Sequence, residues 1–222
     1  MGVLIALSII FVWLGHLLYV LNYQAFEPTS ISMWMHILFQ AWISTGLFIT
    51  AHDAMHSTVA HNKTLNNVLG YITTFMYAGM SYKRLLKNHI LHHKYPATDN
   101  DPDYNVANQN FFVWWFRFML RYLTVWQMLI MALLFNILLL WFSEWQLLLF
   151  WVAPLFLSTF QLFYFGTYLP HKAPHSHEMG KHRSRTLKKN HFLAFLSCYF
   201  FGYHAEHHHY PHVAWWLLYR TK

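Results

Sequence analysis

Three short stretches of the chain carry histidines with the spacing of metal ligands. The first cluster contains His52 and His56, the second His89, His92 and His93, and the third His204, His207 and His208. A further histidine, His171, stands alone in the motif Tyr-Leu-Pro-His. Imidazole is the usual protein ligand for iron, zinc and copper. Residues three or four apart share one face of a helix. The spacing therefore predicts that short helical segments direct these side chains at a common metal site.

The number and type of these ligands favour two metal ions. Nine imidazoles exceed the three or four protein ligands that one zinc requires, and they suffice for two metals with four or five each. Soluble di-iron bundles use paired glutamates and Glu-x-x-His motifs instead. Because the imidazole ligands are neutral, the two metal ions keep their high positive charge, which favours binding of an anionic or reduced oxygen species. Without bridging carboxylates, we expect the metals to lie farther apart than the roughly 3.5–4 Å of ordinary two-metal sites.

Four acidic residues near the clusters are predicted to orient the ligands, because a ligating histidine usually donates its other ring N–H to a carboxylate or carbonyl. They are Asp53 in the first cluster, Asp99 and Asp101 after the second, and Glu206 in the third. The run Thr-Asp-Asn-Asp-Pro-Asp-Tyr could instead begin a calcium loop, but Pro102 and the lack of the glycine and distal glutamate argue against it. A polar turn without a catalytic role remains open.

The composition indicates a membrane protein. Of 222 residues, 56% are hydrophobic and only 10% are charged, whereas soluble domains usually carry about 25% charged residues. The single cysteine, Cys198, excludes an internal disulfide framework and a cysteine-based cluster. We therefore expect one integral membrane domain over residues 1–222. The basic excess belongs to membrane topology, and we expect no nucleic acid partner.

Apolar runs predict an all-α fold with four transmembrane helices. The runs cover residues 2–21, 31–51, 123–142 and 146–169, each close to the roughly 20 residues that span a bilayer. The first run has no basic residue ahead of it, so we interpret it as a span rather than a cleaved signal. Short connectors join the runs into two hairpins. Residues 68–80, 111–120 and 192–203 are predicted to form short interfacial or re-entrant helices.

The distribution of basic residues predicts the orientation. Neither hairpin connector contains lysine or arginine, and all 15 basic residues lie in the middle segment and the tail. Basic residues stay on the cytoplasmic side. All three histidine clusters and His171 should then lie on the cytoplasmic side, with both hairpin tips outside.

The motifs resemble those of a known family. The boxes HDAMH, HILHH and HAEHH are similar to those of the membrane fatty-acid desaturase and hydroxylase superfamily. The longer segments FITAHDAMH, HHKYPATDNDPDY, FGTYLPH and FGYHAEHHHYPHVAWW resemble the bacterial and cyanobacterial β-carotene ketolase family. The closing motif departs from the family pattern at His209 and His212, where an acidic and an aromatic residue are expected.

The resemblance implies a membrane-bound, non-haem di-iron oxygenase that uses O2. The three boxes would supply eight histidine ligands, and His171 matches the family's additional histidine. The substrate would be the β-ionone ring of a carotenoid, which two hydroxylations at carbon 4 and a dehydration convert to a ketone. β-Carotene would pass through echinenone to canthaxanthin, and hydroxylated rings would lead toward astaxanthin. The membrane would be a bacterial inner membrane or a thylakoid-type membrane.

Two further expectations concern the substrate and the electrons. The carotenoid should enter from the bilayer through an apolar channel, for which Phe163, Tyr164 and Tyr168 are candidate lining residues; a role in packing or in the interfacial aromatic belt is the equally favoured alternative. The chain lacks a Gly-x-Gly-x-x-Gly fingerprint and a cysteine cluster, so we expect an external electron donor of the ferredoxin type to dock on its basic residues. A carotenoid ring hydroxylase, a lipid desaturase and, more distantly, a metal-transporting membrane protein remain alternatives.

Overall fold

The computed structural model describes all residues, 1–222, and its regular secondary structure is entirely helical. Two short 3₁₀ helices, His177–His182 and Trp215–Thr221, accompany nine other helices. The helices are α1 Gly2–Tyr23, α2 Ile31–Met55, α3 Lys63–Ala78, α4 Tyr82–Lys94, α5 Phe111–Tyr122, α6 Val125–Leu138, α7 Glu144–His171, α8 His191–Cys198 and α9 His204–His209.

Helices α1 and α2 form an antiparallel hairpin. The buried side chains of α1 recur every three or four residues and so form one face, which comprises Ala6, Ile9, Trp13, Leu17, Val20 and Leu21. Polar links between the helices fix their register. The Trp13 indole donates to Ser44 Oγ at 2.9 Å, and His16 Nδ1 lies 2.5 Å from Gln40 Oε1.

Helix α7 packs against α2 and forms the other long element of the core. Thr45 on α2 lies 2.8 Å from Ser158 Oγ and donates to Gln161 Oε1 at 2.5 Å. Two π-helical segments, Leu148–Val152 and Tyr164–Tyr168, interrupt the α-helical pattern of α7. The second segment ends about one helical turn before His171, the last residue of α7. Such π segments are frequent near functional sites.

Two helices, α1 and α7, are long and apolar enough to cross a membrane, and α5 with α6 would form a third span only as a pair bent by 87°. The predicted span over residues 123–142 is therefore wrong as a single straight helix. The side chain of Thr124 caps a new helix by accepting from Gln127 N, and this helix ends at Leu138. Its 14 residues extend about 21 Å.

The two hairpin tips meet at one end of the bundle. Phe26 stacks on Trp145 with ring centroids 6.0 Å apart, and the Gln146 amide donates to Leu21 O at 2.8 Å. The opposite end holds the last turn of α2 and the end of α7, together with α4 and α9. Helices α3, α5 and α8 occupy the three stretches predicted to be short helices. This arrangement brings all three histidine clusters to the same end of the molecule.

Candidate metal centre

The structure divides the nine histidines into two groups. Within each group, the ligand nitrogens all lie within 4.8 Å of one another. The first group has five members, His52, His56, His89, His93 and His207. The second has four, His92, His171, His204 and His208. Every histidine expected from the sequence to bind metal therefore falls in one of two compact sets, and the remaining histidines fall in neither.

The helical period explains how neighbouring histidines enter different groups. Successive residues on a helix point about 100° apart, so His92 and His93 on α4 face different sets. His207 and His208 on α9 divide in the same way. Helices α4 and α9 thus contribute to both groups, which fixes the groups relative to each other. The rings of His93 and His208, one from each group, have centroids 4.4 Å apart.

Close nitrogen pairs mark the centre of each group. In the first, His56 Nε2 and His89 Nε2 are 2.6 Å apart, while His93 Nε2 and His207 Nε2 are 3.0 Å apart. In the second, the Nε2 atoms of His204 and His208 are 3.1 Å apart. Two nitrogens bound at about 2.1 Å to one metal, at right angles, would lie roughly 3.0 Å apart. The spacing therefore fits ligands gathered around a shared cation.

Several of these nitrogens are buried and lack a hydrogen-bond partner. They are both ring nitrogens of His52, Nε2 of His92 and His171, and Nδ1 of His204 and His208. A buried polar atom without a partner costs about 1–3 kcal/mol, so a cluster of them needs a ligand. Neutral imidazole lone pairs bind Fe, Zn or Cu. The residues present therefore fit two metal ions.

Oxygen acceptors hold the second group from outside. His92 Nδ1 donates to Asp101 at 3.0 Å, and His171 Nδ1 donates to the carbonyl oxygen of Arg183 at 3.0 Å. These bonds fix the tautomer of each ring and direct its Nε2 into the group. Asp101 is itself held, because it accepts from the backbone N–H groups of Ala97 at 2.8 Å and Asp103 at 2.9 Å.

Of the other three acidic residues predicted from the sequence, only Asp53 lies near a ligand histidine. Asp53 Oδ1 lies 3.5 Å from His52 Nδ1, and its Oδ2 accepts from Trp215 N at 2.9 Å, which connects the first group to the C-terminal segment. Asp99 is exposed and contacts no histidine. Glu206 forms an ion pair with Lys222 at 3.1 Å and accepts from Thr186. The structure therefore brings neither Asp99 nor Glu206 against a ligand histidine, since Asp99 lies in an exposed turn and Glu206 is held by a largely buried ion pair.

Burial lowers the pKa of His92, but the charge of Asp101 and its hydrogen bond, with a further contribution from Asp103, outweigh burial and raise that pKa. At the other ligand imidazoles, burial favours the neutral form. It lowers the pKa of His93 to about 2, and it lowers the pKa values of His89, His207 and His208 well below the ordinary value. The neighbouring imidazoles act in the same direction. The neutral form is the one that donates a lone pair to a metal. Burial also raises the pKa of Asp103 to about 6, opposed by the nearby His92.

A cavity of about 110 Å³ reaches both groups. Its wall includes His52 and His89 of the first group and His92 and His204 of the second, and most of the remaining wall is apolar. One ordered water needs only about 10–15 Å³, so the cavity can take a larger ligand. It opens between the α5–α6 bend and α7, where Met119, Tyr122, Leu123, Gln127 and Leu162 line it.

The expectation that Phe163, Tyr164 and Tyr168 line the channel is wrong. Phe163 is fully buried among other aromatic rings, with Trp114 5.7 Å away between centroids. The face of α7 that meets the cavity carries Thr159, Leu162, Gly166 and Thr167 instead. The π-helical segment Tyr164–Tyr168 lies within this region, and a π turn shifts the direction of the side chains that follow it.

Sequence reasoning missed three cavity residues next to the metal ligands. Asp103 and Tyr122 share a hydrogen bond in the cavity wall, and Phe201 packs on His52 with centroids 4.8 Å apart. Asp103 was part of the quoted aspartate run, but nothing local separates it from Asp99. Phe201 approaches Gly166 so closely that an added Cβ there would lie 2.1 Å from its ring. Gly166 in the motif FGTYLPH was the one sequence feature that indicated a close approach of another side chain at this position.

Comparison with protein families agrees with this geometry. The family model described as "Fatty acid desaturase" matches residues 28–126 and 120–222. The two matched ranges contain all nine histidines and every helix except α1. The chain is therefore a member of the fatty acid desaturase family. No solved structure matches it.

Within that family the similar curated proteins are carotenoid ketolases. The chain is 37% identical to "Beta-carotene ketolase" of Paracoccus sp. (strain PC1), over 82% of this chain and 75% of the relative. It is 34% identical to the protein of that name from Paracoccus sp. (strain N81106 / MBIC 01143), over 97% and 89%. It is 42% identical to "Zeaxanthin 4-ketolase" of Chlamydomonas reinhardtii over 80% of this chain but 41% of that longer relative. These identities place the chain among the β-carotene ketolases of the family, and the protein is therefore an enzyme.

Proposed function

We propose that this protein oxidises carbon 4 of the β-ionone ring of a carotenoid to a ketone, using O2 at a pair of iron ions. The observation that carries the proposal is the mostly apolar cavity whose wall contains histidines of both groups. A hydrocarbon ring would fit such a wall. The names of the similar ketolases support a carotenoid as the substrate.

The five histidines of the first group would hold one iron and the four of the second group the other. When bound, the irons would supply the activation of O2 that no amino-acid side chain provides. Each hydroxylation consumes one O2, two electrons and two protons, converts one C4–H bond to C4–OH and releases one water. Two such rounds give a geminal diol, which loses water to leave the ketone. The chain itself positions the ring and excludes solvent from it.

Production of a ring ketone in a β-carotene-producing host tests this function. Each converted ring gains one oxygen and loses two hydrogens, and its extended conjugation shifts the absorption to longer wavelength. His92→Ala should abolish the ketone, because His92 belongs to the second group and is held by Asp101. His61→Ala is the matched control, since His61 belongs to neither group. A hydroxylated ring as the end product would instead assign a ring hydroxylase, and unaltered carotenoid would contradict the proposal.

We also propose that the chain crosses the membrane four times with the metal centre on the cytoplasmic side. The contact between Phe26 and Trp145 puts the two hairpin tips together, away from the histidines. The tips carry no lysine or arginine, whereas the middle segment and the C-terminal tail, which contain most of the histidine ligands, carry all 15 basic residues. In this arrangement the bent pair α5–α6 is the third crossing. Reporter fusions at Lys222 and in the connector around Pro28 should report opposite sides, and identical sides would contradict the topology.

An external, acidic electron donor of the ferredoxin type is the proposed partner. Lys83, Lys87 and Lys94 are exposed on α4, the helix that also carries His89 and His93. A donor bound there would approach the first metal group across a single helix. Complementary charge raises the association rate and makes it sensitive to salt. Turnover with a reduced acidic donor should therefore slow as ionic strength rises, and a rate that ignores salt would contradict this docking.

A further inference from the structure

The cavity wall contains a carboxylate, that of Asp103, which belongs to neither of the two histidine groups. Asp103 follows Asp101 by two residues, yet only Asp101 accepts from His92 Nδ1. Asp103 Oδ2 lies 3.9 Å from that nitrogen, too far for a hydrogen bond, and receives no other. The side chain is about 12% exposed and lines the cavity. One oxygen of a nearly buried carboxylate is thus left to accept from whatever enters.

The rest of the residue is held in place. The Tyr122 hydroxyl donates to Asp103 Oδ1, the Asp103 N–H donates to Asp101 at 2.9 Å, and the Trp114 indole donates to the Asp103 carbonyl at 2.8 Å. Tyr77, another polar residue of the cavity, already has a protein acceptor, since its hydroxyl donates to Ser158 at 3.2 Å. The carboxylate is therefore a fixed acceptor beside a ligand ring of the second group.

A plain β-ionone ring has no hydroxyl group to donate to this acceptor. The alcohol formed by a first hydroxylation at carbon 4 has one. A hydrogen bond to an ionised acceptor is worth more than one to a neutral acceptor. The cavity therefore distinguishes the hydrocarbon substrate from its own first product and binds the product more tightly.

We propose that Asp103, held by Tyr122, accepts a hydrogen bond from the ring hydroxyl made in the first oxidation and retains that ring for the second. Asp103 is then a residue that determines whether the product is a ketone or an alcohol. This inference rests on the proposed ketolase function. It assigns a physical cause to the double oxidation, because an alcohol that dissociates after one round cannot become a geminal diol.

The test compares ring products from the iron-loaded enzyme supplied with β-carotene, O2 and a reduced donor. Asp103→Leu keeps a side chain of similar size without an acceptor. The ratio of released 4-hydroxy rings to 4-keto rings should rise about tenfold or more, the value of one charge-assisted hydrogen bond. With the 4-hydroxy carotenoid supplied as substrate, KM should rise by a similar factor, whereas KM for β-carotene and the iron content should stay unchanged.

Two further variants make the result decisive. Tyr122→Phe removes the group that fixes Oδ1 and should shift the ratio in the same direction by a smaller factor. Tyr71→Phe alters an exposed tyrosine outside the cavity wall and should leave the ratio unchanged. An unchanged ratio in Asp103→Leu and Tyr122→Phe would overturn the inference, and so would an equal loss of both products together with iron. If the unmodified enzyme made no ketone, the proposed function itself would fail.

Discussion

Replacing Asp101 by asparagine should weaken metal binding at the second histidine group. Both carboxylate oxygens of Asp101 are already used by donors. Oδ2 accepts from Ala97 N at 2.8 Å and from His92 Nδ1 at 3.0 Å, while Oδ1 accepts from Asp103 N at 2.9 Å. An asparagine side chain has the same shape, but one oxygen becomes an NH2 group. In either orientation of the amide, that NH2 faces a backbone N–H.

The expected magnitude follows from the role of Asp101 as the acceptor that orients His92. Removing such an outer partner typically costs 10- to 100-fold in metal affinity, or about 1.4–2.7 kcal/mol. The assay is iron content measured by elemental analysis after equilibration with a graded series of chelator concentrations. One of the two irons should be lost at about 10- to 100-fold lower chelator activity than in the unmodified protein. Ketone formation should fall with it.

Asp99→Asn is the matched control, since Asp99 is exposed and contacts no histidine. It should retain both irons and full activity. Thermal unfolding in detergent separates loss of metal from loss of fold, because metal-saturated Asp101→Asn should unfold close to the unmodified protein. Equal iron retention in Asp101→Asn and the unmodified protein would refute the assignment of Asp101. Equal losses in Asp101→Asn and Asp99→Asn would refute it as well.

Three other outcomes are expected. Gly166→Ala places a methyl group 2.1 Å from the Phe201 ring, so the free energy of unfolding in detergent should fall by about 1–3 kcal/mol and the ketone yield should drop. Gly15→Ala on α1, with nothing within 4 Å of the added Cβ, should lower neither, because alanine is the better helix former. Glu206→Gln should leave iron content unchanged, because Glu206 pairs with Lys222 at 3.1 Å rather than with a histidine, and iron loss would restore a role at the metal centre. Removing the metals with a chelator should lower the thermal unfolding temperature, because the folded protein then retains buried imidazole nitrogens without partners; an unchanged temperature would contradict metal binding at these groups.

Local sequence patterns predicted much of the candidate centre. Spacing of three and four residues identified eight of the nine histidines that the structure gathers, and the motif Tyr-Leu-Pro-His identified His171. The apolar runs identified α1 and α7 as long enough to cross a membrane. These features depend on helix periodicity and on composition, which act over a few turns. For the same reason the aspartate run was recognised as relevant, although its individual members were not distinguished.

The features that the sequence did not predict depend on contacts between distant segments. Thr124 ends one helix and starts another, so the third apolar run became a bent pair rather than a single span. Glu206 was expected to orient a ligand, but Lys222 and Thr186 bind its carboxylate instead. The wall of the cavity depends on which face of α7 meets α2 and Phe201, and a π turn in α7 shifts that face.

The sequence by itself determined the class of protein: an apolar helical chain with histidines at ligand spacing on one side of its predicted spans. Side-chain spacing along a helix and transfer of apolar residues into a bilayer are local properties, so they can be derived from the order of residues. Only the tertiary structure decided which histidines share a metal, because α4 and α9 each divide their imidazoles between two groups. It also decided that Asp101 holds His92 while Asp103 faces the cavity. Two aspartates two residues apart are equivalent in sequence, and the packing of His92 and Tyr122 makes them different.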